Sequence, residues 1–279
     1  NKEVGYPIFN SLQDSYVYYD RSDIYNGTYK RDKFYYTLKP FTIKRLMDFK
    51  TDSLMFNGSL TSAGIFPEIV EPLKVQRDYS LGFTIKTPAG GYEAYGGKGH
   101  YTSTISLSYQ GLRGDGRVDY LSSTINSKNI VFMPDSMVAV SDNYTLREEG
   151  DFPDVRIGHA KQNWYPYADS MLVSQLPKGK PFKMYHDDAE LHGQLIVKPS
   201  GAFGRGKIVV QEGTLESDRF ELLPRETNAQ VASFKLYSEV HKNLAFAATK
   251  LKAHVDYETR RAEFTANAAM ERTQLPVVQ

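Results

Sequence analysis

Apolar and polar residues alternate with a period of two along most of this chain. Between residues 101 and 109, Tyr101, Ile105 and Leu107 fall on one face, whereas hydroxyl side chains occupy the other. This pattern is typical of a β-strand that buries one face and leaves the other in water. The same alternation returns at residues 191–197, and helical periodicity is scarce. We therefore predict an all-β protein made of short antiparallel strands joined by tight turns.

Two further segments refine this prediction. Residues 34–38 and 41–43 are rich in aromatic and β-branched side chains and are separated by Pro40, so they predict two strands with a break between them. Residues 229–240 leave two alternatives, because their apolar positions fit a short amphipathic helix, whereas Ser233-Phe234-Lys235-Leu236 alternates like a strand. We favour the strand.

The chain also repeats itself at a spacing of 90 residues. Residues 92–134 align with residues 182–224 without a gap. The identical pairs are Tyr95/Tyr185, Gly111/Gly201, Gly114/Gly204, Gly116/Gly206, Thr124/Thr214, Ser127/Ser217 and Pro134/Pro224. Turn chemistry and apolar positions are thus kept, whereas nearly every polar side chain differs. This is typical of a scaffold unit used twice rather than of a catalytic site.

Each copy contains a Gly-x-x-Gly-x-Gly motif, formed in the first by Gly111, Gly114 and Gly116. A dinucleotide-binding loop with this sequence pattern needs a helix after the last glycine. Here Arg117-Val118-Asp119-Tyr120 follows, which predicts a strand. We therefore expect the glycines to form a turn between two strands, with two more short strands beginning at residue 124 and covering residues 130–133.

A repeated tripeptide indicates how the chain is divided. Gln175-Leu176-Pro177 opens the second copy, and the tripeptide recurs as Gln274-Leu275-Pro276. We predict an N-terminal β segment at residues 1–75 that ends a preceding unit, and a first repeat at residues 76–174. A second repeat follows at residues 175–273, and residues 274–279 begin a truncated third unit. The expectation is that this sequence is a piece of a longer protein.

Composition excludes several function classes. The chain has 34 basic and 33 acidic residues and a formal net charge of +1, so its overall electrostatic field does not favour the binding of nucleic acid. No apolar run approaches the roughly 18 residues of a membrane helix, and with no cysteine there is neither a disulfide nor a thiolate metal site. The 20 tyrosines suit strands with one solvent-exposed face, since a tyrosine ring can pack against neighbouring side chains while its hydroxyl reaches water.

The best candidate for ligand binding is the aromatic segment Trp164-Tyr165-Pro166-Tyr167. Aromatic faces stack on sugar rings, so Trp164, Tyr165 and Tyr167 are candidate ligand-binding residues. The alternative is a hydrophobic plug between units, which a single tryptophan often fills, and we favour the plug.

Metal and catalytic sites are not predicted. His186, Asp188, Glu190 and His192 would share one face of a strand. They would be spread over roughly 20 Å at about 3.3 Å per residue, too far for one ion with ligands near 2 Å. The sequence also lacks G-x-S-x-G, H-E-x-x-H and a P-loop lysine. We expect no catalytic residues, no cofactor, no metal and no enzymatic activity.

Four segments carry a resemblance to a known group of proteins: Gly64-Ile65-Phe66-Pro67, residues 78–83, Thr87-Pro88 and residues 111–116. They resemble segments of large exported β-rich repeat proteins of the Bacteroidota, which have no assigned function. The alternating pattern with its Gly-x-Gly turns is also similar to the long β-grooves of bacterial lipid-transfer proteins of the AsmA type.

The first resemblance implies an exported protein of the periplasm, outer membrane or cell surface. We expect a non-enzymatic structural or interaction module of a larger cell-envelope protein, whose partners are other protein chains or further repeats of the same chain. The alternative is a lipid- or glycan-binding module that uses a β-groove or an aromatic patch.

Overall fold

The structure, a computed structural model, describes residues 8–44, 54–76, 79–238 and 243–266. These residues form antiparallel strands, with short 3-10 turns at Tyr25–Gly27, Pro166–Ala168 and Tyr185–Asp187. The predicted all-β fold class is confirmed. None of the described helical turns is long and apolar enough to cross a membrane. The chain divides into two compact bodies, each described by itself.

The N-terminal body comprises Asn1–Val118 and Lys128–Met137. Both strands predicted around Pro40 are confirmed, and on the first of them Phe34, Tyr36 and Leu38 point into the core. The strands that lie wholly or mostly in this body are β1 (Phe9–Ser11), β2 (Ser15–Tyr18), β3 (Phe34–Leu38), β4 (Phe41–Ile43), β5 (Met55–Phe56), β6 (Gly58–Ser62), β7 (Leu73–Val75), β8 (Leu81–Lys86), β9 (Tyr92–Ala94), β10 (Gly99–Ser108) and β11 (Gly111–Tyr120).

The C-terminal body comprises Asp119–Ser127 and Val138–Gln279. Its strands are β12 (Ser123–Phe132, of which residues 123–127 belong here), β13 (Met137–Ser141), β14 (Asn143–Leu146), β15 (Val155–Ile157), β16 (Ala160–Tyr165), β17 (Ser170–Gln175), β18 (Phe182–Met184), β19 (Ala189–Lys198), β20 (Gly201–Val210), β21 (Gly213–Leu222), β22 (Glu226–Tyr237), β23 (Leu244–Asp256) and β24 (Arg261–Ala266). The strand favoured for residues 229–240 is thus confirmed as far as Tyr237.

Strands β19 to β24 form a meander in which each strand pairs with the next one along the chain. Strand β19 is also bonded on its other side, where its first residues pair with β18 and its later residues pair with β17. On β19, Ala189, Leu191, Leu195 and Val197 are buried and the residues between them are not, and parts of β20 to β23 alternate in the same way, whereas no residue of β24 is buried. The meander therefore has one packed face, as the alternation in the sequence predicts.

Strand bounds in the two matching segments differ by the same 90 residues that separate their sequences. This holds for β9 and β18, β10 and β19, β11 and β20, and β12 and β21. Tyr95 and Tyr185 both have a φ of 53°. Their hydroxyl groups donate to the carbonyl oxygens of Ser136 and Glu226 respectively, at 2.7 and 2.8 Å. The proposed division at residues 75/76 and 174/175 stays a prediction, and residues 274–279 lie outside the described part of the chain.

The glycine motif is not the turn that the sequence predicted. Only Gly111 and Gly201 lie at strand ends, whereas the later glycines of each motif lie inside β11 and β20. A Cβ atom on Gly116 would stand 2.1 Å from the carbonyl oxygen of Thr102, and one on Gly206 would stand 2.2 Å from that of His192. These glycines are needed because neighbouring backbones approach too closely for a side chain.

The prediction of two short strands after the motif was also wrong. Residues 123–132 form one strand, and Ser127 lies within it. The Ser127 hydroxyl donates to the carbonyl oxygen of Val140 at 2.8 Å. A polar residue therefore continues the strand here, because its side chain finds a partner inside the body.

Candidate ligand cleft in the C-terminal body

An apolar cleft of about 560 Å³ opens on the C-terminal body, where the β20–β21 turn, the end of β22 and the β23–β24 hairpin come together. Its apolar lining side chains are Val210, Leu215, Phe234, Leu236, Val255, Tyr257, Ala262 and Phe264. The volume lies within the range of about 300–1,000 Å³ that is usual for small-molecule sites. We call this feature the β24 cleft.

Two phenylalanine rings form the centre of the apolar lining. Phe234 on β22 and Phe264 on β24 stack with ring centroids 4.4 Å apart, although β23 lies between their strands. Flat neighbouring strands lie about 4.8 Å apart, so rings two strands away meet only if the sheet curls. The pairing of β22 with β23 shifts register at three places, and such bulges increase local bending and twist.

Tyr257 lines the cleft and packs on Tyr185, which does not line it. Tyr185 and Tyr257 stack with centroids 3.9 Å apart. The Tyr185 hydroxyl also lies 2.8 Å from the hydroxyl of Thr227, which is 3.2 Å from that of Tyr257. Burial raises the pKa of Tyr257 to about 12 and raises the pKa of Tyr185 well above its ordinary value. Both phenols therefore stay protonated at neutral pH, and Tyr257 presents a neutral ring to the cleft.

Two of the carboxylates on the rim are already engaged by the protein. Asp187 forms an ion pair with Arg156. Asp256 accepts hydrogen bonds from the backbone amides of Glu258 and Thr259, both at 2.9 Å, and these bonds lower the pKa of its carboxyl group. Their roles are to hold the rim and the β23–β24 turn in place.

Two arginines complete the rim. Arg260 and Arg261 line the cleft at the β23–β24 turn and are exposed to water. Neither guanidinium group has an acidic partner within 4 Å among the residues that the structure describes. The mouth of the cleft therefore carries two arginines and four carboxylates, those of Asp187, Asp188, Glu212 and Asp256, around an apolar floor.

The aromatic patch predicted from the sequence is not a single surface. Trp164 is fully buried, with its ring centroid 5.1 Å from that of Tyr120. Tyr165 and Tyr167 are 42% and 59% exposed. Alternation along β16 turns Trp164 inwards and Tyr165 outwards. Trp164 is thus a core residue, and the hypothesis of an exposed ligand-binding platform that includes Trp164 is wrong.

The acidic and histidine side chains near residue 190 are not gathered around one point. His186 belongs to the 3-10 turn before β19, with a φ of 56°. On β19, Glu190 forms an ion pair with Lys183 and lies 3.6 Å from the Nε2 atom of His192. Within the described ranges, no three histidine, cysteine or acidic side chains are placed to hold a metal ion.

Sequence reasoning missed a second surface, which lies in the N-terminal body. Tyr16 and Tyr18 project from β2, and the centroid of Tyr16 lies 5.7 Å from that of Tyr35 on β3. The guanidinium group of Arg31 lies 4.8 Å from the centroid of Tyr18 and also pairs with Asp20. The alternation in Ser15–Tyr18 is the signal that would have indicated outward-facing tyrosines.

Comparison with models of protein families, with curated proteins and with solved structures gave no match. The function must therefore be argued from the geometry of the cleft and its rim.

Proposed function

We propose that this chain is a non-enzymatic interaction module of a larger exported cell-envelope protein, and that it binds its partner in the β24 cleft. The observation that supports this proposal is the open apolar lining around the stacked pair of Phe234 and Phe264. Water in contact with such a lining is released when an apolar group replaces it, which contributes about 0.8 kcal/mol for each buried methylene.

The chemistry of the lining favours binding over catalysis. The side chains that line the cleft in the described part of the chain include no serine, cysteine, histidine or lysine. Its tyrosine is buried with a raised pKa, and Asp187 and Asp256 are engaged in ion pairing and turn capping. The remaining two carboxylates, of Asp188 and Glu212, have none of these four residue types beside them in the lining. General acid–base catalysis needs groups that can exchange a proton with a ligand near neutral pH.

A second candidate function is lipid binding by the same cleft. The lining favours it, because aliphatic and aromatic side chains surround a space of small-molecule size. A glycan-binding function is less well supported, since the patch proposed for it depended on Trp164, which is buried.

The proposal is tested with a neutral fluorescent probe, N-phenyl-1-naphthylamine, whose emission rises in apolar surroundings. We expect saturable binding by the parent protein and its loss in Phe264→Glu, because the substitution places a charge on the apolar lining. Val231→Glu is the matched control, since Val231 lies on β22, is 46% exposed and does not line the cleft. Binding that is equal in the parent and both variants, or absent from the parent, would refute the proposed site.

A further inference from the structure

We propose that the partner of the β24 cleft is a β-hairpin with the pattern of β18–β19, carried by a further copy of the repeated segment, and that it pairs with the edge of β24 that faces away from β23. This inference rests on the proposed function and names the partner that the same site would take. The protein already contains such a pairing twice.

Each of the two matching segments opens with a hairpin that lies against the strand before it. In the N-terminal body β9 pairs with β10, and residues 104–107 of β10 pair with β8. In the C-terminal body β18 pairs with β19, and residues 194–197 of β19 pair with β17. The paired residues of β10 and β19 are again 90 positions apart, so the same register is used in both bodies.

Strand β24 takes the place of β17 in a similar hairpin. The turn before each strand ends on a residue with positive φ, 45° at Asp169 and 56° at Arg260, and the next residue pairs back with the preceding strand. Within the described part of the C-terminal body, β17 pairs with both β16 and β19, whereas β24 pairs with β23 and has no second partner strand. A strand edge without a partner presents N–H and C=O groups that can bond to another strand.

The β22 side of the cleft lining is open, whereas the equivalent positions in the first matching segment are closed. The pairing of β12 with β14 and that of β21 with β22 use registers that are 90 positions apart on both strands. Tyr144 and Leu146 on β14 are fully buried. Their equivalents on β22 are Phe234, which is half-buried, and Leu236, which is 40% exposed.

The β24 side of the lining shows the same difference. On β17, Val173 pairs with Leu195 of β19, and both side chains are fully buried. Phe264 lies at the same distance from the turn on β24, and it is only half-buried. A hairpin in the register of β18–β19 therefore places an apolar residue opposite Phe264, as Leu195 stands opposite Val173.

The test uses a labelled synthetic peptide of residues 182–198, closed into a hairpin by a disulfide between Lys183→Cys and Glu190→Cys. These two positions pair directly, and paired residues of antiparallel strands lie about 4.5–5.5 Å apart, within the reach of a disulfide. Fluorescence anisotropy measures binding to the protein. We expect saturable binding that Phe264→Glu weakens roughly tenfold or more, because a charge then faces the apolar strand, and that the control Val231→Glu leaves unchanged.

Methylation of single backbone nitrogens in the peptide distinguishes strand pairing from adsorption to an apolar surface. Successive residues of an antiparallel strand turn their N–H groups to opposite edges, so only one of Leu195 and Ile196 donates towards β24. In the peptide the other edge of these residues faces water, because β20 is absent. We expect one methyl group to weaken binding roughly tenfold or more, since it removes a hydrogen bond and stands between the strands, and the other to change it less than about threefold.

The outcomes separate this inference from the proposed function. If the neutral probe binds the parent and not Phe264→Glu, but the peptide fails to bind, the cleft takes a small apolar molecule and the hairpin is overturned. Equal effects of the two methyl groups, or peptide binding that Phe264→Glu does not weaken, would also overturn it. If neither the probe nor the peptide binds the parent, the proposed function fails as well. If circular dichroism shows that Phe264→Glu does not fold, the methylated peptides decide, since they need only the parent protein.

Discussion

Gly206 is a position at which even a methyl side chain should destabilise the C-terminal body. It lies on β20 directly opposite Gly193 on β19 and has a φ of 124°, a conformation that residues with a Cβ atom rarely adopt. In Gly206→Ala the new Cβ atom would also lie 2.2 Å from the carbonyl oxygen of His192, which is backbone and has no free rotation. The variant must therefore strain the backbone and push the two strands apart.

The expected cost follows from these two effects. Forcing a non-glycine residue into such a conformation costs about 1–3 kcal/mol. Separating β19 from β20 at this point weakens at least one ladder hydrogen bond, which contributes about 0.5–1.5 kcal/mol. The sum is about 2–4 kcal/mol, which corresponds to a fall in the melting midpoint of roughly 5–15 °C for a body of this size.

The matched control is Gly204→Ala, two positions earlier on the same strand. A Cβ atom on Gly204 would lie 3.4 Å from side-chain atoms of Leu222 and Phe220, which is ordinary contact, and the residue has no positive φ. We expect its free energy of unfolding to change by less than about 1 kcal/mol in either direction. Urea unfolding followed by circular dichroism measures both variants. Equal stability of the two would refute the argument from close approach.

Three other predictions concern aromatic side chains. Tyr185→Phe removes the hydrogen bond to the carbonyl oxygen of Glu226 and should lower the free energy of unfolding in urea by about 1–2 kcal/mol. Tyr165→Phe changes an exposed ring and should cause no measurable change, and equal effects of the two substitutions would contradict this. Burial raises the pKa values of Tyr185 and Tyr257, the latter to about 12, so the unfolded chain loses these protons first. The stability from these pKa shifts should be fully present below about pH 10 and decline above it, and a urea midpoint unchanged between pH 9 and pH 12 would refute this. Fluorescence of Trp164 should be blue-shifted and shielded from acrylamide because the ring is buried, and emission like that of free indole would be the contrary result.

The alternation of side chains was sufficient to predict the fold class and several strands. Phe34, Tyr36 and Leu38 are buried on one face of β3, as a period of two requires. Strand lengths were predicted less well, because the fate of Ser127 depends on a partner, Val140, that the strand itself does not contain. The glycine motif was misread for the same reason, since the close approach to Gly116 comes from the neighbouring strand β10.

The β24 cleft could not be predicted from sequence. Its lining comes from four separate stretches between Asp187 and Phe264, and only the register of the meander brings them together. The stacking of Phe234 on Phe264 accompanies register shifts between β22 and β23, which no local pattern of residues signals. Conversely, Trp164 attracted attention because it lies beside two tyrosines in sequence, although successive positions on a strand point in opposite directions.

The pairing order of the meander has a consequence for how the chain acquires its structure. Because β19 to β24 each pair with the next strand in sequence, every step of assembly closes only a short loop. The strands can therefore be added one at a time from the amino-terminal side while the polypeptide is still being synthesised. A chain interrupted in the turn after Leu222 would already hold the β19–β20 and β20–β21 hairpins, whereas Phe234, on β22, would still be missing. The β24 cleft is thus the last part of the meander to be completed.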